Sequence, residues 1–197
     1  MTSASPFEAR VPLLERGQVP PEIAALYDTL LATRGVVPNM FKALSSVPAL
    51  AVGIAALLKP LMGEGALPGW YKELIATRVA WLNDCAYCVS AHRHLALQRG
   101  ASAEQVASLV DETNPEGEAK TVRFETGPFT EKEKAGLRYA GLLHVSGNAI
   151  DETAFEAVSA HFGPEELVEL TAVAAAFEMF PRFNSGLRIP VTPLPEE

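Results

Sequence analysis

The two cysteines of the chain, Cys85 and Cys88, form a C-x2-C motif, and His92 follows four residues after the second cysteine. On a helix these three residues lie at about 0°, 300° and 340°, so they share one narrow face. Side chains three or four residues apart are neighbours, with Cβ atoms roughly 5–6 Å apart, and the two sulfurs could therefore close a disulfide. His92 is better placed to take a proton from Cys88 than from Cys85. The spacing indicates a redox dithiol with its own base.

Glu73 precedes the first cysteine by twelve residues and completes the pattern E-x11-C-x2-C-x3-H. On one continuous helix it would lie roughly 18 Å from Cys85 along the axis and about 120° away around it. A contact with the dithiol requires the chain to turn between them. Asn83 and Asp84 are the natural place, because Asn is tolerated at a helix C-terminus and Asp is a favoured N-cap. We expect Asp84 to cap a new helix that begins at Cys85, where the helix N-terminus would lower the pKa of the thiol.

This stretch resembles the carboxymuconolactone decarboxylase-like superfamily, in the branch that holds alkylhydroperoxidase D and related peroxidases. The resemblance is carried, at the spacing of that branch, by Glu73, Cys85, Cys88 and His92. It implies a compact multi-helix bundle with the CxxC motif at the N-terminus of a central helix. It also implies that Cys88 attacks a peroxide and becomes a sulfenic acid, which Cys85 resolves as a disulfide. Glu73 and His92 would relay protons.

The activity implied is that of an antioxidant enzyme, a thiol-dependent peroxidase that reduces hydrogen peroxide or organic hydroperoxides without metal, flavin or haem. An external dithiol, such as a thioredoxin-like or lipoyl reductant, would restore the thiols. The resemblance also implies a homo-oligomer, a dimer, trimer or hexamer. Alkylhydroperoxidase D carries a histidine just before the second cysteine, whereas this chain has Tyr87, a residue that could line the pocket.

Other interpretations of the cysteine pair stay open at this point. The first is a zinc site, because C-x2-C is a common zinc half-site and His92 could be a third ligand. However, the sequence has no second C-x2-C or H-x3-H motif, and His94 faces away from His92 on a helix. A second is a pair of inert buried cysteines. For the whole protein, the alternatives are a general disulfide oxidoreductase, a decarboxylase-like or small-molecule-binding member of the same fold without peroxidase activity, and a non-enzymatic structural oligomer.

Composition excludes several partners. The chain has 197 residues, a net charge of −8 and 48% hydrophobic residues, and no basic cluster suggests a nucleic-acid surface. The first eight residues lack the features of a signal peptide, and the longest apolar run, residues 47–58, is too short to span a bilayer. Two cysteines in so long a chain do not make a disulfide framework, so we expect a cytoplasmic protein that does not contact a membrane.

No alternating β pattern occurs, so the sequence predicts an all-α fold. We expect an arm over residues 1–19, a single domain over 20–185 and an extended tail over 186–197, with a loop over 114–129. Helices are expected over 21–33, 38–44, 48–62, 68–82, 85–99, 102–110, 130–144, 151–161 and 164–180. The helix from Pro48 is apolar on nearly every face, which is typical of a buried or oligomeric helix. Trp81, Phe177 and Phe180 are expected in the core, and no catalytic part is expected for His94, His144 or His161.

Overall fold

The computed structural model describes residues 8–110 and 123–193. Within these ranges the regular structure consists of nine α-helices and three short 3-10 turns with no strand, which confirms the all-α prediction. The helices are α1 (Pro21–Arg34), α2 (Asn39–Leu44), α3 (Pro48–Met62), α4 (Gly69–Leu82), α5 (Ala86–Gln98), α6 (Ala103–Leu109), α7 (Glu131–Val145), α8 (Glu152–Ser159) and α9 (Pro164–Gly186). None of the described helices is both long enough and apolar enough to cross a membrane.

Short-range signals set most helix ends where the sequence predicts them. α1 stops at Gly35, whose φ of 69° is the left-handed conformation that glycine adopts without strain. Ser102 and Thr130 each form a capping box with the residue three positions on, and these boxes open α6 and α7. Asp151 caps α8 by accepting a hydrogen bond from the backbone N–H of Ala154 at 2.8 Å. Capping chemistry is local, and for this reason the sequence reveals it.

Two helices differ from expectation. α9 continues through Pro181 to Gly186, six residues beyond the predicted end at Phe180. A proline removes one intrahelical hydrogen bond but does not always end a long helix. α3 is not a buried helix in the single chain, because Leu50, Val52 and Leu57 are 46%, 44% and 46% exposed.

The structure divides into two compact units. The first comprises residues 8–59 and 183–193. In it the Tyr27 hydroxyl donates to the carbonyl of Leu14 at 2.9 Å and contacts Ser45 Oγ at 2.9 Å, which anchors the N-terminal arm on α1. The tail is held to α2, since the Asn39 backbone N–H donates to Thr192 Oγ1 at 2.9 Å.

The second unit comprises Pro60–Arg182 and contains the whole candidate site. α4 is its central element and packs against α5, α6 and α7. Every residue of α4 from Tyr71 to Ala80 is buried, including the charged Lys72, Glu73 and Arg78. Part of the predicted loop, residues 114–122, lies outside the described residues, as do residues 1–7 of the arm and 194–197 of the tail. The predicted domain boundaries stay a prediction.

Candidate active site

The turn between α4 and α5 positions the cysteines. α4 ends at Leu82 with Asn83 as its C-cap, and the chain reverses at Asp84, whose φ of 53° lies in the left-handed region. The break predicted at Asn83-Asp84 is therefore confirmed. The predicted cap is wrong: Cys85, not Asp84, is the N-cap of α5, and its sulfur accepts a hydrogen bond from the backbone N–H of Cys88 at 3.4 Å. Asp84 is used to make the turn, because Asp is one of the few residues that tolerate this conformation.

The reversal brings Glu73 of α4 against His92 of α5. Glu73 Oε2 lies 2.6 Å from His92 Nδ1. Glu73 is 1% exposed, and the His92 side chain is 13% exposed. A buried carboxylate is costly unless it is paired, so this contact accounts for the placement of a glutamate inside an apolar helix.

The hydrogen bond fixes the tautomer of the imidazole. An ionised carboxylate only accepts hydrogen bonds, so His92 Nδ1 must carry the proton that is donated to Glu73. The lone pair is then on Nε2, and this nitrogen can accept a proton from a thiol. The carboxylate behind the ring would stabilise the imidazolium that forms. Glu73 and His92 together have the geometry of a carboxylate-supported general base.

The two sulfurs lie 2.8 Å apart, and both cysteines are thiols. Each residue is only 2% exposed. Cys88 is within α5 and one turn before His92, on the same face of the helix. A buried pair of thiols next to a supported base is suited to two-electron redox chemistry on a small molecule.

A cavity of about 470 Å³ lies on the other side of α5. It is lined by Trp81, Asp84, Cys85, Ala86, Val89, Ser90, Arg93, His94 and Leu97. The lining residues that belong to α5 recur every three or four residues, so they share one face of the helix. This face lies about 150° around the helix axis from the face that carries Cys88 and His92. Cys85 lines the cavity and also contacts Cys88. The two thiols therefore connect the cavity face of α5 with the face that carries Cys88 and His92.

Two contacts of the relay were not predicted. Arg99 Nη1 lies 3.4 Å from Glu73 Oε1 and also donates to the carbonyl of Met62, so a cation holds the other oxygen of the carboxylate. Phe177, confirmed as a core residue, packs edge-on against His92 with ring centroids 4.5 Å apart. Arg99 follows His92 by seven residues, a helical spacing that could have indicated the shared face. Phe177 comes from a distant part of the sequence and gave no such signal.

The other residues named from the sequence fall outside the relay. Tyr87 is buried on α5 and does not line the cavity, whereas Trp81, expected in the core, does. Burial lowers the pKa of the Arg78 guanidinium to about 10, against the opposing charge of Glu125, and Arg78 lies 4.9 Å from the centroid of the Phe124 ring. Among the residues with described positions, no group of three or more His, Cys, Asp or Glu side chains could hold a metal ion.

A second histidine–glutamate pair lies at the end of α4. His144 Nδ1 is 2.8 Å from Glu178 Oε1, and the Asn83 side-chain amide donates to Glu178 Oε2 at 3.1 Å. This pair joins α7 and α9 to the residue before the Asp84 turn. The pair consists of the same two residue types as the Glu73–His92 pair, but no cysteine precedes His144 on α7.

Comparison with known proteins shows similarity in sequence and in fold. Residues 48–116 match the model of the carboxymuconolactone decarboxylase family. The fold matches the alkylhydroperoxidase AhpD core of a peroxidase-related protein from Ralstonia eutropha JMP134, with a TM-score of 0.81 and 22% identity over 96% of this chain and 94% of that chain. The chain therefore has the fold of the alkylhydroperoxidase AhpD core, and residues 48–116 are similar in sequence to the carboxymuconolactone decarboxylase family.

Two further proteins show the range of proteins that this chain resembles. Protein YnjA of Escherichia coli K12 is 26% identical over 120 residues, which is 60% of this chain and 59% of that protein, so the match leaves part of the relative's length uncovered. The debrominase Bmp8, as a cysteine-to-alanine variant in complex with 2,3,4-tribromopyrrole, has a TM-score of 0.74 and 20% identity over 98% of this chain and 94% of that chain.

Proposed function

We propose that this protein is a thiol-dependent peroxidase that reduces hydroperoxides through Cys88 and Cys85. The observation that supports this most is the Glu73–His92 hydrogen bond, because it supplies a base one helical turn from a cysteine that already contacts a second thiol. The thiols must be restored by a reductant after each cycle, and catalytic disulfides of this transient kind are typical of reducing compartments, so we also propose a cytoplasmic location.

The cycle balances in three steps. His92 Nε2 takes the proton of Cys88, and the thiolate attacks the terminal oxygen of ROOH. The O–O bond breaks, the alkoxide leaves as ROH with the proton from His92, and Cys88 becomes a sulfenic acid. The Cys85 sulfur then attacks Cys88 Sγ, the S–O bond breaks, and water leaves as the disulfide forms. An external dithiol supplies two electrons and two protons and restores both thiols.

Burial of the thiols favours a small substrate over a protein disulfide. Both cysteines are 2% exposed, so a disulfide on the surface of a folded partner protein cannot reach either sulfur of the single chain. For the same reason we propose that the reductant is a small dithiol, or a dithiol carried on a flexible arm such as a lipoyl group. This argues against the general disulfide oxidoreductase interpretation.

The debrominase among the structural relatives supports a second candidate. A dithiol can reduce an aryl bromide by the same two-electron change, in which ArBr and two thiols give ArH, HBr and a disulfide. The cavity beside Cys85 has an aromatic wall in Trp81, which could pack against a halogenated ring.

One assay separates the two candidates. Purified protein is supplied with dihydrolipoamide or dithiothreitol and with cumene hydroperoxide, hydrogen peroxide or 2,3,4-tribromopyrrole. The proposal predicts consumption of hydroperoxide at a rate that saturates with the dithiol and is lost in Cys88→Ser. Turnover of the bromopyrrole alone would establish the second candidate, and no turnover of any of the three would overturn both.

A further inference from the structure

The wall of the cavity on α5 includes only one of the two cysteines. Cys85 lines it, whereas Cys88 lies on a different face of the helix. We infer that this cavity binds the reductant, a small uncharged dithiol with an apolar body, and that this dithiol attacks the Cys85 sulfur of the oxidised protein. The inference rests on the proposed peroxidase function and identifies the second substrate of the same thiol pair.

The position of the cavity determines which sulfur of the disulfide a thiol can reach from it. A thiolate attacks one sulfur of a disulfide from the side opposite to the sulfur that leaves. The cavity lies about 150° around α5 from the face of Cys88, and Cys85 contacts Cys88 at 2.8 Å. A thiol in the cavity therefore meets Cys85 first, with Cys88 behind it as the leaving sulfur.

His92 lies where the leaving sulfur needs a proton. Attack on Cys85 breaks the bond between the two cysteines and releases Cys88 as a thiolate. The proton of the attacking thiol ends on Cys88, and His92, one helical turn away and supported by Glu73, can hold and deliver it. The base of the peroxide step serves as the acid of the reductive step.

The reductive step balances with the dithiol alone. Its first thiol forms a mixed disulfide with Cys85, and Cys88 becomes a thiol. Its second thiol then attacks the reductant's own sulfur in that mixed disulfide, so the reductant closes to a cyclic disulfide and Cys85 leaves as a thiol. The reductant loses two electrons and two protons, and the protein gains them.

The size and polarity of the cavity define the reductant. Its volume of about 470 Å³ lies within the range of roughly 300–1,000 Å³ that is usual for small-molecule sites. Trp81, Ala86 and Leu97 supply apolar surface, and Ala86 and Leu97 are exposed, so the cavity opens to solvent. The charged side chains of the wall, Asp84 and Arg93, have partners within the protein. These features favour an uncharged ligand with an apolar body.

Two dithiols test the role of the apolar body. Dihydrolipoamide and 1,3-propanedithiol both close to a five-membered cyclic disulfide, but only dihydrolipoamide carries an apolar chain. The rate constant for reducing the oxidised protein is measured for each dithiol and divided by its rate constant for oxidised glutathione, which corrects for intrinsic reactivity. We expect the corrected value to favour dihydrolipoamide by about tenfold or more, because each buried methylene adds roughly fourfold to affinity. Equal values would overturn the inference.

A bulky side chain in the cavity tests the route of the reductant. Ala86→Phe should slow reduction by dihydrolipoamide about tenfold or more, since thiol–disulfide exchange depends on access to the sulfur. Oxidation of the reduced protein by hydrogen peroxide, measured separately, should stay within about twofold. Ser90→Phe, also in the cavity wall, takes the place of Ala86→Phe if that variant does not fold.

The control is Gln98→Phe, which adds the same side chain at an exposed position of α5 that does not line the cavity. It should leave both steps unchanged. Unchanged reduction in the variant with the filled cavity, or equal losses in reduction and oxidation, would overturn the inference.

Labelling of a single cysteine gives a readout that does not depend on peroxide. In Cys88→Ser, hexyl methanethiosulfonate should label Cys85, and the further change Ala86→Phe should slow this labelling about tenfold, whereas Gln98→Phe should not. Labelling that is unchanged by Ala86→Phe would overturn the inference. Absence of peroxide reduction by the native protein, with labelling that still depends on Ala86, would refute the peroxidase function and leave the cavity as a route to Cys85.

Discussion

At the scale of single residues, the proposed chemistry depends on the contact between Glu73 and His92. The carboxylate is buried, accepts from Nδ1 at 2.6 Å and is held on its other oxygen by Arg99. This arrangement holds the ring in one tautomer with Nε2 available as a base. The same contact explains both the presence of a charged residue in the centre of α4 and the reactivity proposed for Cys88.

Glu73→Gln should lower peroxide turnover by about a hundredfold, since a positioned general base contributes on the order of 10²–10⁴-fold. The amide keeps the shape of the side chain but cannot stabilise an imidazolium. The rate is measured with saturating dithiol, after circular dichroism has shown that the variant is folded.

The second pair offers a matched control for that variant. Glu178→Gln makes the same carboxylate-to-amide change beside His144, whose Nδ1 lies 2.8 Å from Glu178 Oε1 in the native protein. No cysteine precedes His144 on α7. We expect it to keep turnover within about twofold, an allowance for experimental error and small structural shifts. Equal losses in the two variants would show that the effect of Glu73 is structural.

At the scale of secondary-structure elements, the α4–α5 turn decides whether the site forms. Asp84 adopts a φ of 53°, and Cys85 then caps α5 through its own sulfur. The turn permits α4 and α5 to pack side by side, which places Glu73 against His92. The twelve-residue separation in sequence becomes a direct contact only because of this turn.

The strain at Asp84 leads to a stability prediction. Asp84→Gly should match or exceed the native free energy of unfolding, because glycine adopts this conformation freely. Asp84→Val should lower it by about 1–2 kcal/mol, since a β-branched residue in the left-handed region is strained. Asp84→Asn serves as the control and should resemble the native protein.

Urea unfolding monitored by circular dichroism measures the three differences. If Asp84→Val is as stable as Asp84→Asn, then the turn does not have the conformation described.

The sequence predicted the elements better than the site. Helix ends that depend on local caps, such as those at Ser102 and Thr130, lie within one or two residues of expectation. The helix break before Cys85 could be predicted, because Glu73 can reach the thiols only if the chain turns there. The identity of the N-cap residue of α5 could not be predicted from the same requirement. Asp has two common uses near a helix start, as a cap and in a left-handed turn, and sequence alone does not choose between them.

The cavity could not be predicted because its walls come from two helices. Trp81 of α4 faces residues of α5 such as Arg93 and His94, and their meeting depends on how the helices pack. From the sequence, His94 could be assigned to a different face from His92, as the structure confirms. Which residues pack opposite the His94 face depends on the tertiary structure and could not be predicted from the sequence.

At the scale of the whole molecule, the exposed apolar residues of α3 indicate self-association. Leu50, Val52 and Leu57 are each more than 40% exposed in the single chain, on a helix with one charged residue, Lys59. Exposed apolar patches of this kind commonly mark interaction sites. We therefore keep the prediction of a homo-oligomer, a dimer, trimer or hexamer with symmetric contacts.

The double variant Leu50→Glu, Leu57→Glu should dissociate the oligomer, because buried charges without partners oppose association. Light scattering at micromolar concentration measures the mass. Val145→Glu is the control, since Val145 is apolar and 77% exposed on α7, and it should leave the mass unchanged. A monomeric native protein, or an unchanged mass in the double variant, would contradict the prediction.

The assignment of the two sulfurs is the central claim, and the structure supplies arguments on both sides. Cys85 lines the cavity and accepts the hydrogen bond of the helix N-terminus, which favours Cys85 as the thiolate. His92 lies one turn beyond Cys88, which favours Cys88. We rank the base higher, because it can remove the proton during attack as well as before it.

Trapping of the sulfenic acid with dimedone, located by peptide mass spectrometry, tests that claim most directly. Cys85→Ser and Cys88→Ser are each treated with one equivalent of hydroperoxide in the presence of dimedone. We predict an adduct on Cys88 in Cys85→Ser and no adduct in Cys88→Ser, while the unmodified protein forms a Cys85–Cys88 disulfide. An adduct on Cys85 in Cys88→Ser, with none on Cys88 in Cys85→Ser, would contradict the account.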